Sequence, residues 1–361
     1  MEDHHGSRTL VRRSAVRVRR ADPLRDRQDI VAVLRRNMLG IVNVEARHEW
    51  LYLRNPWGRA WVWLAEDTET GTVVGTSAAH PKRVRVDGRT LEVLDLSDFA
   101  VDATHRTLGP ALALLRATLE PMRGRFAFSY DHPSPAMLAV YTRLGGRAVS
   151  QHTRWVRLLR ISPQIDRRIG PLAGSLVGKL ADLALAARDT FRRSQSRVAV
   201  KPLAGEPGRE FDRLDEETAD QTRVRGVRSA AHLAWRYLGH TAARHEILCA
   251  RDGGALVGYL VFRPSAPQVL SIVDVVARAE PDVGAALIAG LVALGRARGI
   301  DALWATVLDG GPVEGLFPRC GFVPRERSPG VVVYAPEAPP GVAETISEAA
   351  NWWMLEGDAD V

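Results

Sequence analysis

Residues 101–116 read Val-Asp-Ala-Thr-His-Arg-Thr-Leu-Gly-Pro-Ala-Leu-Ala-Leu-Leu-Arg, and the order of these side chains decides the fold. A strand-forming run, residues 91–101, ends here. A short polar turn follows, and an apolar helix-forming run begins just past Gly109. Pro110 stands where a missing N–H is tolerated, in the first turn of a helix. Free N–H groups at such a helix start, with a small residue at the point of closest approach, bind a diphosphate. Arg106 brings a cation to the same turn.

Around that turn the chain has 361 residues, long for one domain and comfortable for two. Hydrophobic residues make up 46% and charged residues 25%, the balance of a soluble globular protein. The longest apolar stretches are broken by Arg, Lys or Asp, so no membrane-spanning helix is expected. Residues 1–15 are basic and expected to be disordered, without the apolar segment of a secretory signal. Cys249 and Cys320 are too few for a disulfide scaffold or a cysteine-rich metal site, and the histidines show no metal-ligand spacing. A cytoplasmic location follows as the expectation. The net charge of +7 comes mainly from scattered arginines without an aromatic-interleaved patch. That pattern argues for solvated surface and one phosphate site rather than nucleic acid.

Along the first half the patterns give a strand at 16–19, a helix from Asp22-Pro23 to about Asn37, and an aromatic-rich segment from Trp50 to Trp57. Strands at 60–65, 72–78 and 82–86 follow, then an Asp87-Gly88 hairpin turn into 91–101. After the helix at 110–121 come a strand at 125–130, a helix at 136–144 and a last strand near 148–158. Residues 161–197 read as an amphipathic helical connector whose arginines and lysine could touch a membrane surface. From Val198 the plan runs again. His232 and Trp235 echo His48 and Trp50, and Gly284 and Ala286 fall where Gly109 and Ala111 fall. The chain therefore reads as an internal duplication of about 150 residues per copy. The tail is expected to pack Trp352-Trp353 and to leave Asp358 and Asp360 in water.

Arg106-Thr107-Leu108-Gly109-Pro110-Ala111 fits the Arg/Gln-x-x-Gly-x-Gly/Ala pattern of the GCN5-related N-acetyltransferases (GNAT), and the strand and helix order resembles that family. The resemblance implies an α/β (α+β) chain of two GNAT folds in tandem, each a mixed, mostly antiparallel sheet flanked by helices. Its expected limits are a basic terminus at 1–15, a catalytic domain at 16–160, a connector at 161–197 and a second domain with the tail at 198–361. It implies acetyl-CoA or another acyl-CoA as co-substrate, bound by Phe99, Ala100, Val101, the residues Arg106 to Ala111, and Ser134. No metal is implied.

The family's second signature, Asn-x-x-Ala-x-x-x-Tyr-x-Lys-x-Gly-Phe, is matched by Ser134, Tyr141, Arg143 and Gly145-Gly146, with Ser for Asn and Gly for Phe. The resemblance makes Tyr141 the acid that protonates the departing thiolate. It makes Asp98 first, and Asp95 second, the carboxylate that deprotonates the amine. Their odd spacing needs a β-bulge if both are to face one cleft. The second copy has Phe317 for the tyrosine and Pro281 for the arginine, with Glu280 and Asp282 beside it, so its donor site is expected to be degenerate. The clustered Trp50, Trp57, Trp61 and Trp63 read as core more than as a stacking surface.

The function so implied is transfer of an acetyl group to a primary amine of a small molecule or amino sugar by direct attack. The Trp-rich acidic ending resembles that of acyltransferases associated with cell-surface polysaccharide synthesis. The rival readings are a Fem-like transferase using aminoacyl-tRNA and a non-catalytic tandem scaffold. The oligomeric state is not legible.

Overall fold

The computed structural model describes residues 15–120, 124–160, 198–279 and 282–359. Residues 1–14, 121–123 with the expected end of the helix at 110–121, the expected connector at 161–197, Glu280, Pro281, Asp360 and Val361 lie outside the described residues.

The first half runs β1 (Val16–Ala21), α1 (Arg27–Asn37), α2 (Val44–Arg47), a π-helical turn at His48–Leu53, β2 (Trp61–Asp67), β3 (Val73–Val86) and β4 (Arg89–Val101). It continues with α3 (Leu108–Leu119), β5 (Ser129–Asp131), α4 (Pro135–Arg143), β6 (Arg147–Ala148) and β7 (Gln151–Leu158). The second half repeats the order: β8 (Ala199–Pro202), α5 (Arg209–Glu217), β9 (Val224–Gly226), α6 (Ala230–Leu233), and a π-helical turn at Ala234–Leu238. After it come β10 (Glu246–Asp252), β11 (Ala255–Ala266), β12 (Val269–Ala277), α7 (Val283–Ala297) and β13 (Ala302–Leu308). Then follow α8 (Leu316–Arg319), β14 (Val323–Pro329), β15 (Val332–Tyr334) and α9 (Val342–Ile346).

These strands form two mixed, mostly antiparallel sheets flanked by helices, the α/β architecture the sequence implies. One runs β1-β2-β3-β4-β5-β15-β6 and the other β14-β7-β13-β12-β11-β10-β8. The halves thus trade a strand. The expected single strand at 148–158 is two strands, because Val149 and Ser150 carry the chain from one sheet to the other. β7 leaves the first sheet and pairs with β13 and β14, while β15 enters the first sheet between β5 and β6.

β3 is one 14-residue strand where two were expected, despite Pro81. The pairing explains it. β2 reaches β3 only as far as Ala79, and β9 begins its pairing at Val84. Pro81, which has no N–H to give, sits in the gap between the two partners.

The duplication is visible in a pair of hydrogen bonds. Trp50 Nε1 donates to the Trp235 carbonyl at 2.8 Å, and Trp235 Nε1 donates to the Trp50 carbonyl at 3.0 Å. Their rings stack at 5.4 Å between centroids. Two residues on, Tyr52 and Tyr237 each donate to an aspartate at 2.9 Å, Asp98 on β4 and Asp274 on β12. The two Trp-x-Tyr segments are thus related by a local twofold, and Trp50 and Trp63 are core as expected. Sheet one packs α3 on one face, through Leu114, Leu115 and Leu119, and α1 on the other, through Ile30, Val31 and Leu34.

Candidate active site

The donor-side geometry is built by β4. β5 pairs with it only at Leu94 and Asp95, and residues 96–101 run on with no β5 partner. A bulge sits at the same place: Ala78 pairs with Ser97 and Thr76 with Ala100, so Asp98 and Phe99 stand opposite Ser77 alone. Asp98 takes a left-handed φ of 49° to make it, a conformation Asp tolerates better than most residues. The strand is therefore splayed from β5, and Phe99, Ala100 and Val101 have no strand partner on that side.

At the top of the splay lies the turn at Arg106–Ala111. The N–H groups of Leu108 and Gly109 have no acceptor among the described residues, as expected for a helix start. A Cβ at Gly109 would meet nothing within 4 Å, and its φ lies outside the left-handed region. Neither packing nor conformation inside the protein calls for glycine here. Arg106 is turned back: its Nε donates to the Val101 carbonyl and its guanidinium to Asn37 Oδ1. It braces the turn against α1, and Asp102 completes the brace through Arg36 and Asn37.

The bulge brings Asp95 and Asp98 to the α1–α2 side of the sheet, and both carboxylates are engaged there. Asp98 is wholly buried; Arg47 Nη2 lies 2.9 Å from it, Arg47 Nε 3.2 Å, and the Tyr52 hydroxyl 2.9 Å. The first-choice base is thus held by a guanidinium and a phenol, contacts that also pin the bulge. Asp95 forms an ion pair with Lys82 at 2.6 Å, and Lys82 also donates to the Asp358 carbonyl. Tyr141 is buried and donates its hydroxyl to Asp131 at the end of β5. Burial first, then the Asp131 charge, holds this phenol well above its usual pKa, so it stays protonated. Ser134 caps α4 by accepting from the Met137 N–H at 3.3 Å. Arg47, Tyr52, Lys82 and Asp131 were missed in the sequence; only the Trp-x-Tyr repeat offered a signal, and it pointed to Tyr52.

Among the described residues, the matching place in the second half differs in two ways. Asp282 caps α7 by accepting from the Ala285 N–H and pairs with Arg319, and a Cβ at Gly284 would meet Leu316 at 3.2 Å. The groove beside β12 is filled by the chain's own tail. Leu355 bridges Val307 on β13, Trp353 Nε1 donates to the Val275 carbonyl, and Glu356 accepts from Ser271 and Arg263. Trp352 is buried as expected, but Asp358 is not in water: it lies against Arg228 at 2.7 Å because the tail runs between the sheets.

Residues 19–147 match the family model of the acetyltransferase (GNAT) domain. No curated protein matches the chain. Among solved structures it is similar to a GCN5-related N-acetyltransferase from Anabaena variabilis ATCC 29413, at 16% identity and a TM-score of 0.64, over 89% of this chain and 73% of that one. It is similar to a probable N-acyltransferase from Enterococcus faecalis V583 at 13% identity and 0.64, with the same two coverages of 89% and 73%. N-myristoyltransferase from Saccharomyces cerevisiae, solved with bound myristoyl-CoA and inhibitors, aligns at 13% identity and 0.56, over 91% of this chain and 82% of that one. The splayed β4 and the turn at Arg106–Ala111 both lie within the matched segment, so residues 19–147 carry an acetyltransferase (GNAT) domain and the chain has the fold of the acyltransferases it resembles.

Proposed function

We propose that the first half takes acetyl-CoA and passes the acetyl group to a primary amine of a small molecule, with an amino sugar as the favoured acceptor. The family makes the chain an acyl-CoA-dependent N-acyltransferase in general terms. The observation that carries the reading is the open space above Gly109, next to two free N–H groups and an unpaired strand edge.

In this reading the Leu108 and Gly109 N–H groups hold the diphosphate. The edge of β4 at residues 96–101 that β5 leaves uncovered aligns the acyl arm and polarises its carbonyl. The amine attacks that carbonyl directly. Asp98 or Asp95 accepts the amine proton through water; each is held by a cation, Asp98 by Arg47 and Asp95 by Lys82. Tyr141 supplies the proton to the leaving sulfur, and Asp131 holds the phenol in place. Asp282, Leu316 and the tail leave the second half to shape the acceptor cleft.

The test is calorimetric titration with acetyl-CoA, then thiol release over a panel of amines and amino sugars. Gly109→Asp puts a carboxylate where the diphosphate lies and should abolish binding while leaving the melting temperature unchanged. Binding that survives Gly109→Asp would remove the donor site from this turn. Tyr141→Phe with full turnover would remove the proposed acid.

A further inference from the structure

Where β1 ends and β2 begins, the first sheet carries a cavity of about 600 Å³, within the size range of ligand sites. Its lining includes Arg20, Arg59, Arg125, Trp61 and Asp22. The phosphate turn opens α3, whereas Arg125 follows that helix's other end. Twelve residues at the helical rise separate the two places by about 18 Å. This corner is therefore distinct from the donor site.

Its guanidinium groups are placed rather than loose. The Arg20 and Arg125 guanidinium carbons lie 3.9 and 4.6 Å from the Trp61 ring centroid, and Arg125 also packs on Phe126 at 5.4 Å. Stacking on an aromatic face fixes the guanidinium plane and leaves its N–H edges available. Among the described residues Arg20, Arg59 and Arg125 make no ion pair. Asp22 is the acidic group on the lining, and its carboxylate accepts from the Leu24 and Arg25 N–H groups at 2.8 and 3.0 Å. Three cations thus face one carboxylate.

The duplicate half shows the same corner when it serves structure alone. There β10 opens with Glu246 where β2 opens with Trp61. Arg298, just past α7, meets Glu246 through both oxygens at 2.6 and 2.8 Å. The acid that neutralises this corner in the second half is an indole in the first.

We propose that Arg20, Arg59 and Arg125, arrayed around Trp61, form a binding site for a phosphoryl group carried by a small metabolite or a lipid headgroup. Guanidinium forks match phosphate oxygens in pairs, and the cavity leaves room for a substituent beyond the phosphate.

The test is calorimetric titration of the full chain with inorganic pyrophosphate at fixed ionic strength. It is repeated in Gly109→Asp, which closes the donor turn, and in Arg59→Gln and Arg59→Gln/Arg125→Gln. Binding should persist in Gly109→Asp, weaken in Arg59→Gln, and fall at least about tenfold in the double variant, as expected for loss of charge-assisted bonds. Arg59 is exposed and touches no ring, so its variant guards against a folding effect in the double one. Absence of binding in the wild-type chain overturns the proposal. So does binding that Gly109→Asp removes and the arginine variants keep. Sedimentation with phosphatidic acid vesicles separates the sources: retention lost in the double variant assigns a headgroup, and no retention beside pyrophosphate binding assigns a soluble phosphate.

Discussion

Asp98→Asn separates two roles that a strand aspartate can play. The substitution keeps the shape and suits the left-handed φ of 49° at the bulge, so backbone strain is not introduced. What it removes is charge. Arg47, 9% exposed in its side chain, would keep its cation without the carboxylate it now meets through Nη2 and Nε. Breaking a buried pair from one side costs roughly 3–5 kcal/mol, because the remaining charge stays out of water. Tyr52→Phe deletes one bond to the same carboxylate and should cost roughly 1.5–3 kcal/mol, the range for a hydrogen bond to a charged group. Arg47→Met paired with Asp98→Asn leaves neither charge buried, so the double variant should be more stable than the sum of the singles by roughly 2 kcal/mol. Urea unfolding, read as the midpoint shift from the wild type at constant slope, measures Asp98→Asn, Arg47→Met, Tyr52→Phe and the double variant. The reasoning fails if Asp98→Asn unfolds at the wild-type midpoint yet loses turnover. That outcome would make Asp98 the proton acceptor and not the pin.

Cutting the chain after Arg160 removes β15 from between β5 and β6 and leaves β7 without β13 or β14, so residues 1–160 alone should show no cooperative thermal transition by circular dichroism. Gly357→Ala places a Cβ against the Tyr237 hydroxyl and the Val273 carbonyl, with costs of roughly 1–3 kcal/mol by overpacking; a melting shift checks it. Acid should destabilise the chain early. Burial and the neighbouring His240 lower His245 from its usual value to about 3, so the unfolded chain binds the proton that the folded one refuses. Stability is then full above the unfolded value near 6.5 and declines as pH falls from there toward about 3, and His245→Gln should flatten the slope of urea midpoint against pH in that window.

What the sequence disclosed followed from local chemistry. Asp87-Gly88 turns β3 into β4, with φ of 48° and 76°, because few other pairs accept those angles. The start of α3 was readable because Gly109 and Pro110 punctuate the chain just where an apolar helical run begins. Trp50 and Trp235 betrayed the repeat because both copies need an indole at the same junction. The partners of the site residues lie far off in the chain. Arg47 reaches Asp98 across 51 positions, and Lys82 reaches Asp358 across 276, and no spacing rule spans such gaps. The run at 148–158 has one alternating pattern throughout, and nothing in that pattern says which sheet each half will join. Asp358 looked like a solvated tail residue because acidic endings usually are; Arg228, which buries it, stands 130 positions earlier.

The traded strands also set a schedule. A ribosome delivers β5 and β6 long before Val332–Tyr334, the strand that must lie between them, and it delivers β7 about 150 positions ahead of β13. During that interval the first sheet has an open slot and β7 has bare hydrogen-bonding edges, the surfaces that pair with strangers. Neither half can be finished before the other is begun. The chain therefore commits to its fold late, in one step that involves both halves, and the long sequence separation of the closing contacts makes that step slow. For such a molecule, a chaperone that shields a nascent edge or a reduced translation temperature should raise yield more than any stabilising change within either half.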